Sequence, residues 1–242
     1  MIRKEEKGGH MRIATACLLA ACAACLANDA ATLEFIGFSG DGRYFAWEQY
    51  GVQDGSGFPW SEITIQETDG GAVAESFLCV LEDESLEGGD ARAACLAEAS
   101  GALSLLSAGE WLPGVRCIHH PPTDLGEYPS GVRFCSTFHS PGYRTGDYGL
   151  SLHTVEVAGS DMEEWLGVAP VLLEVRFTDM ETGTVQVIER ETAQDERWAY
   201  TFSYSVSDVW CLEDRFFAAA LDSRKAGFEG ADLRYRLVGW VR

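Results

Sequence analysis

Residues 171–178 read Val171-Leu172-Leu173-Glu174-Val175-Arg176-Phe177-Thr178. Val171, Leu173, Val175 and Phe177 fall on one side of a pleated chain, with polar residues between them. A period of two is the mark of a strand with one buried face. The next residues, Asp179-Met180-Glu181-Thr182-Gly183, carry turn chemistry, and a second strand is expected to return over 184–190. Working outward, further strands are expected at 115–119, 132–139, 148–157, 199–210, 215–221 and 233–241. Short turns and scarce helices favour antiparallel pairing.

The N-terminal half repeats the theme. Leu33–Phe38 and Arg43–Tyr50 flank Ser39-Gly40-Asp41-Gly42, a strong hairpin turn. A Gly-rich loop, 51–60, leads into Glu62–Glu67. This three-strand meander is similar to part of a propeller blade, but only one copy is present. Ser76–Leu81 reads as extended. From Gly89 to Ser107 the pattern changes. Ala91, Ala94, Cys95, Ala102, Leu103 and Leu106 give a helix with an apolar side, with Asp90 as its N-cap. The expected fold class is mainly β: antiparallel sheets, as a sandwich or partly propeller-like, with one inserted helix near 90–107. No low-complexity linker divides the chain, so residues 28–242 are expected to form a single domain.

Residues 11–27 read MRIATACLLAACAACLA. One base precedes an apolar run too short for a bilayer, which needs about 20 residues. Small residues then lead to Asn28 and Asp29. This is the pattern of an export signal over 1–27, with Met11 as an alternative start. Leu19-Ala20-Ala21-Cys22 also resembles a lipobox, in which Cys22 would carry a lipid. The protein is therefore expected in the periplasm or outside the cell, and on a membrane only if so anchored. No transmembrane span is expected in the mature chain.

The net charge is −20. Residues 1–27 hold four bases and two acids, so the remainder sets 14 bases against 36 acids. Such a chain repels phosphate backbones, which removes nucleic acid from the expected partners. An unknown small molecule or an envelope protein remains.

Five of the eight cysteines lie beyond the export segment: Cys79, Cys95, Cys117, Cys135 and Cys211. In an oxidising compartment two disulfides and one thiol fit that count. Cys117 would face Cys135 if 115–119 and 132–139 formed a hairpin with His120 opposite Val132. Cys79 with Cys95 is a second pairing, and buried free thiols are the alternative for all five. Cys117, His119, Cys135 and His139, with His120 nearby, are also zinc-competent ligands, although their spacing fits no standard zinc pattern.

Two further segments could carry a site. The loop 51–60 gathers Asp54, Ser56, Phe58 and Trp60 among glycines that allow close approach of a ligand. Its bland reading is a wide hairpin loop with plugging aromatics. Glu229 and Asp232, in the turn 227–232, could meet Arg43 or Arg234, or hold a cation with Asp54. There the alternative is a tight turn anchored by Phe228. Signature motifs of hydrolases, nucleotide-binding loops and dinucleotide sites are missing, and no cofactor is expected. A glycosidase-like carboxylate pair is set by space, and nothing in the sequence selects one.

Phe35-Ile36-Gly37-Phe38-Ser39, then Asp41-Gly42-Arg43-Tyr44-Phe45-Ala46, Glu48 and Tyr50 through Pro59, resemble the N-terminal signature of the DUF2259 family, predicted secreted bacterial proteins of unknown function. Gly227-Phe228-Glu229-Gly230 with Asp232, Arg234 and Tyr235 is similar to its C-terminal signature. The Ala-rich helix also sits where that family has one, while 110–215 matches less well. The resemblance implies export and a bacterial source and supplies no catalytic residue. Together these readings favour a non-enzymatic exported protein binding at the 51–60 end of the sheet. An envelope hydrolase and a metal-handling protein are the alternatives.

Overall fold

The computed structural model describes residues 29–120, 129–140, 143–158, 160, 163–164, 167–192, 201–227 and 231–242. The export segment with Cys22, and Glu229, lie outside them, as does the side chain of His139. In chain order the first half holds β1 (Thr32–Ser39), β2 (Tyr44–Val52), β3 (Pro59–Glu67), β4 (Val73–Val80), α1 (Gly88–Leu106), β5 (Trp111–Leu112) and β6 (Val115–His119). Then come β7 (Gly131–Phe134), β8 (Thr137–Ser140), β9 (Tyr143–Thr145), β10 (Tyr148–Glu156), β11 (Val171–Asp179) and β12 (Thr184–Arg190). The last three are β13 (Thr201–Leu212), β14 (Phe216–Ala226) and β15 (Ala231–Val241).

Three antiparallel sheets result, besides the β8–β9 hairpin. Sheet A runs β4-β3-β2-β1-β5, sheet B β15-β14-β13-β6, and sheet C β12-β11-β10-β7. The alternation quoted first sets one interface. Leu173, Val175 and Phe177 of β11 share a core with Phe217, Leu221, Val238 and Trp240 of sheet B. There the Phe217 and Trp240 rings stack with centroids 5.2 Å apart. Sheet B buries its other face as well. Ala218, Ala220 and Leu237 meet Phe38, Phe45, Trp47 and Trp60 of sheet A. Small residues admit those large rings: a Cβ on Gly239 would stand 2.5 Å from the Phe45 ring and 2.9 Å from the Thr68 carbonyl. Sheet B is therefore the middle layer of a stacked sandwich, and its strands read as apolar runs rather than clean alternations.

The inserted helix lies on the outer face of sheet A. Ala91, Cys95 and Ala99, four residues apart, are its buried positions. Cys95 and Ala99 pack with Ile63 and Cys79. Arg92 reaches across to Glu48, donating from Nε at 3.0 Å and from its terminal nitrogen at 2.7 Å. The N-cap is Glu87 rather than Asp90. Asp90 instead accepts the Glu87 backbone N–H at 2.9 Å, closing the first turn from inside.

One expected pairing is overturned. Segments 115–119 and 132–139 do not form a hairpin. β6 pairs with β13 in sheet B, and β7 with β10 in sheet C. The His120 N–H goes to the Ser207 carbonyl at 2.7 Å instead of facing Val132. The 132–139 strand also breaks, with Cys135 in the gap between β7 and β8. β13 is long and covered on both faces, so it offers β6 a more buried ladder than the short β7 can.

Candidate functional site

Sheet B ends at β15, and its free edge is handled by side chains. Leu233 is bridged by the incoming segment 29–31, through Leu233 N–H to Asp29 O at 2.9 Å and Ala31 N–H to Leu233 O at 3.0 Å. Further along, the Tyr235 N–H donates to Gln49 Oε1 at 3.0 Å. Gln66 Nε2 donates to the Leu237 carbonyl at 3.4 Å and to the Gly71 carbonyl at 3.0 Å. Two glutamines of sheet A thus satisfy an edge that a strand would otherwise cover. A cleft of about 420 Å³ opens along it, lined by Trp47, Gln49, Glu62 and Gln66 from sheet A and by Tyr204, Lys225 and Arg236 from sheet B, among others.

Most charges in this cleft are spent. Arg234 pairs with Asp29, donates to the Asp29 carbonyl at 2.9 Å and lies over the Trp60 ring at 4.7 Å. Arg236 pairs with Glu191 and, at 2.9 Å, with Glu189. Glu191 also accepts from the Tyr204 hydroxyl at 3.0 Å and the Leu173 N–H at 2.8 Å. Glu62 accepts from Gln49 Nε2 at 2.8 Å. Lys225 differs: among the described residues its ammonium makes no hydrogen bond and no ion pair, although Asp232 stands opposite it in the β14–β15 ladder. Burial, then Arg234 and Arg236, pull its ammonium below the usual lysine range, against Glu62 and Glu191. Lys225 is also the only lysine after residue 27, where the other 13 bases are all arginine. That count was legible in the sequence, and it is the signal that would have singled this residue out.

The loop 51–60 borders this cleft. Ser56 Oγ donates to Gln53 Oε1 at 3.0 Å and accepts the Phe58 N–H at 3.3 Å, so it shapes the loop. Gly55 and Gly57 hold positive φ angles of 83° and 71°, which glycine tolerates. Trp60 is 5% exposed and serves as the floor beneath Arg234 rather than as an open wall. Asp54 Oδ2 is buried with no hydrogen-bond partner among the described residues. Asp54, Asp29 and Asp232 crowd about Arg234, and burial pushes the Asp232 carboxyl up despite it. Asp232 thus lies in electrostatic reach of both Asp54 and Arg234, and Arg234 covers Trp60.

Of the Cys/His group, Cys117 and Cys135 come together while His119 turns to Asp208. Cys117 and Cys135 approach across the B–C interface, where burial first and Cys135 second push the Cys117 thiol up to about 12. His119 Nδ1 is 2.9 Å from Asp208 Oδ1, which also accepts from Arg116 Nε at 2.6 Å. Among the described residues no three His, Cys, Asp or Glu side chains are arranged to hold a metal ion. Asp208 and Asp222 approach each other, and both are buried in sheet B. Among the described residues no helix is long and apolar enough to cross a membrane.

The fold and cleft define a layered β-sandwich protein with a polar crevice at the edge of its middle sheet. The chain belongs to the family described as predicted secreted protein (DUF2259), whose model matches residues 46–240. No curated protein matches it.

Proposed function

We propose that this is an exported binding protein whose cleft along β15 takes a small organic acid, with the acid group on Lys225. The supporting observation is the isolation of that lysine. It is the one base after residue 27 that is not an arginine, and it stands half-buried without an ion-pair partner among the described residues. A buried cation without a counter-ion is costly, and a ligand anion would remove that cost. Gln49, Glu62 and Thr64 offer hydrogen bonds to a polar body. Export places the protein in the periplasm or outside the cell, as one folded unit from about residue 28. In the lipid-anchored form Cys22 would hold it to the membrane.

Calorimetric titration with succinate and with inorganic phosphate tests the reading. A charge-assisted hydrogen bond of about 1.5–3 kcal/mol predicts that Lys225→Gln loses roughly 10- to 150-fold in affinity. Binding of both probes by Lys225→Gln at the wild-type affinity would sink the proposal.

A further inference from the structure

We propose that Cys79 and Cys95 are joined by a disulfide in the exported protein, which fastens α1 to the edge strand β4 of sheet A. Both residues belong to the small core under the helix, Cys79 at 8% exposure and Cys95 at 0%. Both thiols are free in this structure, and Cys95 and Glu98 stand near enough to Cys79 to act on its thiol. Cys95 Sγ further donates to the Phe77 carbonyl at 3.3 Å, which holds it beside β4. Cys117, by contrast, has two thiol neighbours, Cys135 and Cys211, and so no unique partner.

Export supplies the chemistry. An oxidising compartment offers protein or small-molecule disulfides as oxidants. One cysteine thiolate attacks such a disulfide, forms a mixed disulfide and displaces a thiolate. The second cysteine then attacks the mixed disulfide and displaces the other. In sum, two protons and two electrons pass from the cysteines to the external disulfide, which leaves as two thiols.

Burial, with Cys95 and Glu98 nearby, pushes the Cys79 thiol up to about 12. In the folded, reduced protein Cys79 is therefore a poor nucleophile, and the bond forms before α1 docks. The bridge suits the local sequence. Gly88, Gly89 and Gly101 weaken α1 as a helix, and Leu105 at its far end is exposed.

Peptide mapping of exported protein, denatured in an alkylating reagent without reductant, tests this. Trypsin cleaves after Arg92, between the two cysteines. The expected result is a single cross-linked species holding the Cys79 and Cys95 peptides, resolved into two by reductant. In exported Cys79→Ala protein, Cys95 should instead be fully alkylated. Free, alkylated Cys79 and Cys95 in the wild type, or either one bridged to Cys117, Cys135 or Cys211, would overturn the proposal. Succinate binding is read separately, so this result stands apart from the fate of the Lys225 site.

Discussion

Asp222 carries a carboxyl that is 1% exposed, and among the described residues only the Ser205 and Ser207 hydroxyls come near enough to favour its charge, without closing a full hydrogen bond. Burial and then the nearby Asp208 push it up to about 6, with Ser207, Arg224 and Ser205 only partly opposing them. A folded value above the unfolded one stabilises the protein fully below the unfolded value of 3.8. That contribution is lost as pH rises through about 6. Asp222→Asn should therefore leave stability near that of wild type at pH values under the unfolded one. It should raise stability by about 2–3 kcal/mol at pH 7.5. Urea unfolding at both pH values checks this, and an equal gap at the two would show that burial of charge is not the cause. Nothing in the sequence separates Asp222 from the other acids. Its environment comes from registers with Ser205 on one side and Tyr235 on the other. Lys225 is the opposite case, since its rarity is plain in the sequence while its isolation depends on where β15 begins.

At the level of elements, α1 was legible because Ala and Leu recur at helical spacing and caps stand at its start. How it docks was not. The decisive contact joins Arg92 to Glu48, residues 44 apart in sequence, with Glu48 2% exposed. Ser61 Oγ donates to the same carboxylate at 2.8 Å, and the Arg92 guanidinium lies over Tyr50 at 4.1 Å. Arg92→Ala would strand a buried carboxylate, and should destabilise by about 3–5 kcal/mol. Chemical denaturation with helical circular dichroism measures it; a loss under about 1 kcal/mol would mean that α1 is held by apolar packing alone. The failed 115–139 hairpin teaches the same lesson from the other side. β6 and β7 both form strands, but their ladders are chosen by β13 and β10. Local pattern gives a strand its face, while its partner depends on which edges the rest of the chain leaves open.

Over the whole molecule, sheet B joins everything else. Its two faces carry the two large cores, and its β15 edge is where segment 29–31, loop 51–60 and the glutamines of sheet A converge. The net charge of −20 makes a cation without an ion-pair partner among the described residues conspicuous in that place. It also makes the cleft an exception to a surface that otherwise repels anions. Lys225 is the only lysine after residue 27, so an amine-reactive ester followed by peptide mapping reads its accessibility directly. Saturating succinate should slow acylation of Lys225 while the α-amino group reacts at its usual rate. Acylation of Lys225 at one rate with and without succinate or phosphate would contradict the assignment of this cleft as the binding site.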